Sequence, residues 1–372
     1  MASDTVDLIT NAFYNYIFPS ICLFGILCNT LNLTVLSSKR LRESPFTYLT
    51  ALACADLLTF CFTLSTFFSR GNFINYSSIN IKYFVKKTEI LFFMPTVNVF
   101  SAMSVSVVVA LTIERFLFMK FPLHASTICT KHYARRVVAI LFVFIALFRL
   151  PMYFFRDVQI QKTNQNVSMY DANCSQTIMI VNKFEKYHKL YFTISLTIFE
   201  IIPFFVLSIL NVGIVVLLKQ SNKGFDALIA RKNDQFTNSS CKRMEQLETL
   251  DLDYKQSEKM TRRKKDEIKL TRQLVVLVTL VVLSEIFSIV TYEKITEFLV
   301  GRHFLNYMNT EYKLQVAIAN SINLIVNSAN FLVLCAFNTR YFNIFKEKYS
   351  CIFRRFSKQR QRQREVVNSS VI

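Results

Sequence analysis

Seven stretches of the chain are apolar over a length that can cross a bilayer: about 12–37, 47–69, 89–119, 134–155, 190–218, 269–298 and 312–337. A spanning helix needs roughly 20 mostly apolar residues, so the pattern predicts an all-α membrane protein, a seven-transmembrane helix bundle. After the last run, Phe342, Phe345, Tyr349, Ile352 and Phe356 recur at helical spacing among Lys346, Lys348, Arg354, Arg355 and Lys358. That alternation predicts an amphipathic cytoplasmic helix lying on a leaflet. The chain then divides into a short N-terminal segment (1–11), the membrane domain (12–340) and the amphipathic helix with a basic tail (341–372). A third inner loop, about 219–268, is polar, basic and the longest, and is expected to be partly without fixed structure.

Polar residues inside the apolar runs are few, and each needs a reason, because a mid-membrane carboxylate costs about 2.5–3.5 kcal/mol on insertion scales. The first run holds Gly25 and Asn29 on one face, and the second holds Asp56 near its middle. The third contains Pro95, Asn98, Ser101 and Ser104, then places Glu114 beside Arg115 where it must leave the membrane, and breaks at Pro122. Such a pair reads as a switch, with a solvated helix end as the plainer alternative. Glu200, Pro203 and Asn211 lie in the fifth run, and Pro203 is expected to kink it. The sixth holds Ser284 and Glu285, with Tyr292, Glu293 and Glu297 beyond. In the seventh, Asn320, Asn323, Asn327 and Asn330 are spaced three, four and three, which aligns four amides on one face. Ionisable groups within spans usually face the bundle interior or a cavity. Glu200, Glu285, Glu293 and Glu297 therefore outline an acidic pocket, although Glu293 and Glu297 pair equally well with Lys294 or loop bases.

Composition agrees: 52% hydrophobic residues and 37 Phe in 372 are too apolar for an ordinary soluble domain. The formal charge of +19 alone would suggest nucleic acid, but its distribution argues otherwise. With the N-terminus outside, the inner loops and tail carry 30 of the 44 Lys and Arg and the outer segments 11, which is the positive-inside pattern. The expectation is a multi-pass plasma-membrane protein with an extracellular N-terminus, contacting membrane lipid and no nucleic acid. Arg262-Arg263-Lys264-Lys265, a nucleic-acid patch in isolation, sits four residues before a span and reads as an anchor near anionic lipid. Residues 1–11 carry Asp4 and Asp7 and no base, so no cleavable signal peptide is expected. Sequons at Asn75, Asn166 and Asn173 fall in outer loops. Of nine Cys, Cys174 alone lies clearly in an outer loop, and Cys351 suits palmitoylation or an unmodified thiol equally. Five Gly without a phosphate loop, no nucleophile elbow and four scattered His argue against an enzyme.

Gly25-x-x-x-Asn29, Leu52-Ala53-Cys54-Ala55-Asp56, Glu114-Arg115-Phe116 with Pro122-Leu123, Pro203 and Asn330, in this order over about 12–356, resemble the rhodopsin-like (class A) G-protein-coupled receptors. Where that family usually has Cys-Trp-x-Pro in its sixth helix, Ser284-Glu285-Ile286-Phe287 stands here. Asn330-Phe331-Leu332-Val333-Leu334 stands for Asn-Pro-x-x-Tyr. With Ile202-Pro203-Phe204 and Leu210-Asn211, these features look like invertebrate FMRFamide-type and myosuppressin-type peptide receptors and related nematode chemoreceptor-class sequences. That subfamily usually keeps a proline where Phe287 stands.

The resemblance implies a heterotrimeric G protein and an extracellular peptide as partners. It implies that Arg115 engages the G protein when the sixth helix swings outward, that Glu114 holds Arg115 at rest, and that Asn211 and Asn330 belong to the same switch. It implies a sodium ion held by Asp56, Ser104, Asn327 and Asn330 with Asn29 beside them; oxygen ligands suit a hard cation, and a water-filled polar cluster is the alternative. The pocket of Glu200, Glu285, Tyr292, Glu293 and Glu297 would take a cationic amidated end such as Arg-Phe-amide. The family disulfide lacks its third-helix cysteine here, since Ile90 occupies that position, leaving Cys174 without an evident partner. Leu334 and Asn211 replace tyrosines usual in the family, which leaves an orphan chemosensory or non-signalling ligand-binding receptor of the same fold as the rival reading. A transporter would favour internal repeats or broken Gly/Pro helices, which the chain lacks.

Overall fold

The computed structural model describes residues 2–41, 43–70, 79–121, 125, 127, 129–163, 175–182, 184–239, 247–291 and 309–350. Seven helices in it are long and apolar enough to span a membrane: Leu8–Leu36, Ser44–Phe67, Ile79–Lys120, Lys131–Tyr153, Leu190–Ser221, Glu267–Val290 and Leu314–Phe337. They are called spans 1 to 7 below, and each coincides with one apolar run. Span 3 begins at Ile79 rather than near 89. The polar turn ahead of the apolar run stays helical, with Lys87 bonded to Tyr83 at 3.1 Å and Lys86 to Glu89 at 3.0 Å.

Spans 1, 3 and 5 each contain one widened turn, Phe13–Ile17, Glu89–Phe93 and Thr197–Ile201. Each lies just ahead of a proline: Pro19, Pro95 and Pro203. Proline has no N–H to donate, and its ring crowds the carbonyl four residues back. A helix can absorb that conflict by taking one extra residue into the turn, so Pro203 is marked by a wide turn. Span 6 has no proline and belongs to one unbroken helix, Leu247–Val290.

Two buried clusters hold the bundle. One, toward the Arg115 end, includes Leu49, Leu52, Val107, Leu111, Leu274, Leu277 and Leu334. The other, toward the opposite end, includes Phe18, Cys22, Phe60, Phe67 and Ala317. Gly25 makes room for the second, because a Cβ there would lie 2.5 Å from the Phe60 ring. Large apolar side chains also cover the outside, among them Leu27 (57% exposed), Ile140 (67%) and Ile209 (69%), as lipid contact requires.

Two features depart from the expectations. The segment after span 4 contains an antiparallel hairpin, β1 (Arg156–Thr163) and β2 (Ser175–Asn182), pairing Val158 with Ile180 and Ile160 with Ile178. The 219–268 segment is helical over much of its length: the span 5 helix continues to Ser239 and the span 6 helix starts at Leu247. Lys, Arg, Glu and Gln are good helix formers, and extending an existing helix avoids the cost of nucleation.

An eighth helix follows at 339–350. Its start is capped by Asn338, whose Oδ1 accepts from the Tyr341 N–H at 2.9 Å. It is tied to span 1 by Tyr341 Oη donating to Asn32 Oδ1 (2.9 Å) and by a Thr34–Tyr349 hydroxyl bond (2.7 Å). Ion pairs Arg40–Glu347 (2.7 Å) and Arg340–Glu43 (2.6 Å) add to this. Cys351, Ile352 and Phe356 lie outside the described residues.

Candidate functional site

At the Arg115 end, Glu114 and Arg115 are 5% and 3% exposed. Burying both charges is costly unless partners are close, and the structure supplies them. Glu114 accepts a hydrogen bond from Ser44 Oγ at 2.6 Å and lies 3.4 Å from Arg115 Nη2. Arg115 Nη1 donates to Glu267 Oε2 at 2.9 Å, across to span 6. The guanidinium also covers the Phe118 ring at 5.1 Å. The family resemblance implies Glu114 as the restraint on Arg115; the shorter bond belongs to Glu267, an acid beside a run of four bases. Nearby, burial pushes the Cys129 thiol up. Asn211 and Asn330 are placed elsewhere: Asn211 Nδ2 donates to Thr279 Oγ1 at 3.0 Å, joining spans 5 and 6.

Asp56 is fully buried and accepts from Ser104 Oγ at 2.5 Å and from Asn330 Nδ2 at 2.7 Å. Spans 2, 3 and 7 therefore converge on one carboxylate. Asn327 and Asn330 line the adjoining cavity. Asn29 sits apart, since its amide donates to Gly25 O in its own helix at 3.0 Å and its buried Oδ1 has no partner among the described residues. One carboxylate with hydroxyl and amide oxygens is a donor set that fits a hard monovalent cation.

That cavity, about 430 Å³, extends away from Asp56 toward the opposite half of the bundle. All four span 7 amides line it, as do Glu200 and Glu285, so the sequence-derived face is a real surface. Glu285 is 2% exposed, and its Oε2 has no hydrogen-bond partner among the described residues. The charged group it faces is Glu200. Arg149, near the end of span 4, lines the same space and is 6% exposed. It donates to Ser195 Oγ at 2.6 Å, stacks 4.5 Å over the Phe199 ring and faces Glu200 and Tyr191. The pocket is thus mixed in charge: Arg149 faces Glu200, and Glu200 is also hydrogen-bonded to Glu285, so no cation among the described residues faces Glu285. Its position just before Leu150-Pro151, at the end of an apolar run, gave no sign of this. Tyr292, Glu293, Glu297 and the sequons Asn75, Asn166 and Asn173 lie outside the described residues, as does Cys174. Ile90, at the position where a disulfide would start, is buried in the widened turn.

The model of the 7-transmembrane receptor (rhodopsin family) matches residues 29–299. A probable G-protein coupled receptor of Caenorhabditis elegans is 29% identical over 343 residues, which covers 92% of this chain and 70% of that protein.

Proposed function

Since the chain belongs to the rhodopsin family of seven-transmembrane receptors, we propose that it is a neuropeptide receptor of the plasma membrane with its N-terminus outside. The family makes it a multi-pass G-protein-coupled receptor rather than an enzyme. Within that class, the proposed ligand is an FMRFamide-like amidated peptide. Its basic end enters the cavity, and its cation meets Glu285. The observation that carries this reading is the buried carboxyl oxygen of Glu285 left without a partner beside Glu200. Two carboxyl groups side by side in a buried cavity repel each other when ionised, and a cationic ligand relieves that repulsion.

Signalling in this proposal runs through span 6. Glu285 and Glu267 lie on one unbroken helix, about 27 Å apart along its axis. A peptide cation drawn to Glu285 acts on the rod that also carries the partner of Arg115. Outward movement of span 6 breaks the 2.9 Å Arg115–Glu267 bond and frees Arg115 for the G protein. The Asn211–Thr279 bond carries span 5 along. Asp56, Ser104, Asn327 and Asn330 would hold the sodium ion, which neutralises the Asp56 charge when bound.

A screen of amidated peptides on receptor-expressing cells, read by calcium and second messengers, tests the ligand class. Glu285→Gln is expected to lower the potency of a basic peptide at least tenfold, because losing one partner of a buried charge pair costs about 2–5 kcal/mol. A charge-reversed peptide that activates wild type as strongly as a basic one removes the proposal.

A further inference from the structure

The geometry points to a binding site for one anionic phospholipid on the outer wall of the bundle, in the groove between the first inner turn and spans 2, 3 and 4. The groove holds about 700 Å³. Its wall is apolar: Leu58, Phe100, Val138 and Phe142 line it, and the small side chains of Ala51 and Ala139 keep it open. It follows span 2 from Phe46 to Leu58, about 18 Å along the helix axis. That depth compares with half of a hydrocarbon core of roughly 30 Å, so the groove accepts the acyl chain of a single leaflet.

Its mouth carries Lys39, Lys131 and Arg135. None of the three has an ion pair, hydrogen bond or ring contact among the described residues. Their neighbours differ: Arg40 is paired with Glu347 and Glu43 with Arg340. Three unmatched cations above an apolar slot match a phosphate-bearing headgroup above an acyl chain. A sterol, with a single hydroxyl, would leave them unmatched. The inference rests on reading the Arg115 end as the cytoplasmic side, where anionic lipid is concentrated, and it is independent of which peptide the receptor answers.

The test is native mass spectrometry of the full-length receptor equilibrated with equal amounts of phosphatidylserine, phosphatidylcholine and cholesterol. Wild type is expected to retain one phosphatidylserine in preference to the others. Lys131→Gln with Arg135→Gln should cut the preference for phosphatidylserine over phosphatidylcholine by roughly five-fold per base removed. Ala139→Phe, at an exposed position, should reduce retention of both phospholipids by filling the slot. Arg136→Gln, on the same helix end but outside the groove, should change neither. Equal loss in Arg136→Gln and the double variant would reduce the effect to general surface charge and overturn the site. So would undiminished retention in Ala139→Phe, or cholesterol displacing phosphatidylserine. Each variant's thermal unfolding, measured alongside, separates loss of lipid from loss of fold.

Discussion

Two carboxylates compete for Arg115, and distance decides between them. The contact with Glu114 is long at 3.4 Å, and Glu114 also accepts from Ser44, whereas Glu267 is bonded at 2.9 Å. A hydrogen bond between charged groups contributes about 1.5–3 kcal/mol, enough to shift a two-state equilibrium by at least about tenfold, less where one partner is as exposed as Glu267. Glu267→Gln is therefore expected to raise ligand-free second-messenger output by up to about that factor, and Glu114→Gln to raise it less. The reverse order would return the restraint to Glu114, and no change in either variant would end the idea of a resting latch. At this scale the sequence was informative wherever a charge interrupts an apolar run, as with Asp56, Glu114, Arg115 and Glu285. It was silent on Glu267 and Arg149, because their significance lies in partners far along the chain that one sequence cannot pair.

Spans 1 and 2 approach closely at Gly25, where the Phe60 ring occupies the space a side chain would need. Gly25→Ala is expected to destabilise the receptor by about 1–3 kcal/mol, the usual cost of overpacking. The fall in unfolding temperature should be largely reversed by adding Phe60→Leu; a Gly25→Ala receptor with unchanged unfolding would mean that the ring moves aside freely. Seven spans and the eighth helix were legible because apolar length and helical spacing are local signals. The β1–β2 hairpin was not, since its alternation is short and its pairing spans an interval of polar sequence. The helical ends of 219–268 were not legible either, because a polar composition does not distinguish a solvated helix from a chain without structure, and long helices propagate cheaply into such segments. The eighth helix illustrates how unequal contacts can be: its ion pairs to Arg40 and Glu43 are exposed and worth little, whereas Tyr341 is completely buried and carries most of the docking.

Across the whole bundle, one cavity connects the Glu285 region with the residues around Asp56. If a sodium ion sits at Asp56, ion and ligand occupy two ends of one space and their affinities are coupled. Peptide affinity should then vary across a sodium titration at constant ionic strength by a factor of roughly 5–150, the usual range of such coupling, and stay flat in Asp56→Asn. Equal sodium dependence in both proteins would place the ion elsewhere. The same view of the molecule gives the widened turns at Phe13–Ile17, Glu89–Phe93 and Thr197–Ile201 a further meaning. One extra residue in a turn re-phases everything before it by about 100° relative to everything after. Spans 1, 3 and 5 are therefore each two helical wheels, and a wheel drawn from the half after Pro203 would misplace Glu200. A homologue lacking a single residue at such a turn would align well on both sides of the gap and yet present a different face to the cavity, so small deletions beside these prolines are a route to new ligand preference without change in the coupling end.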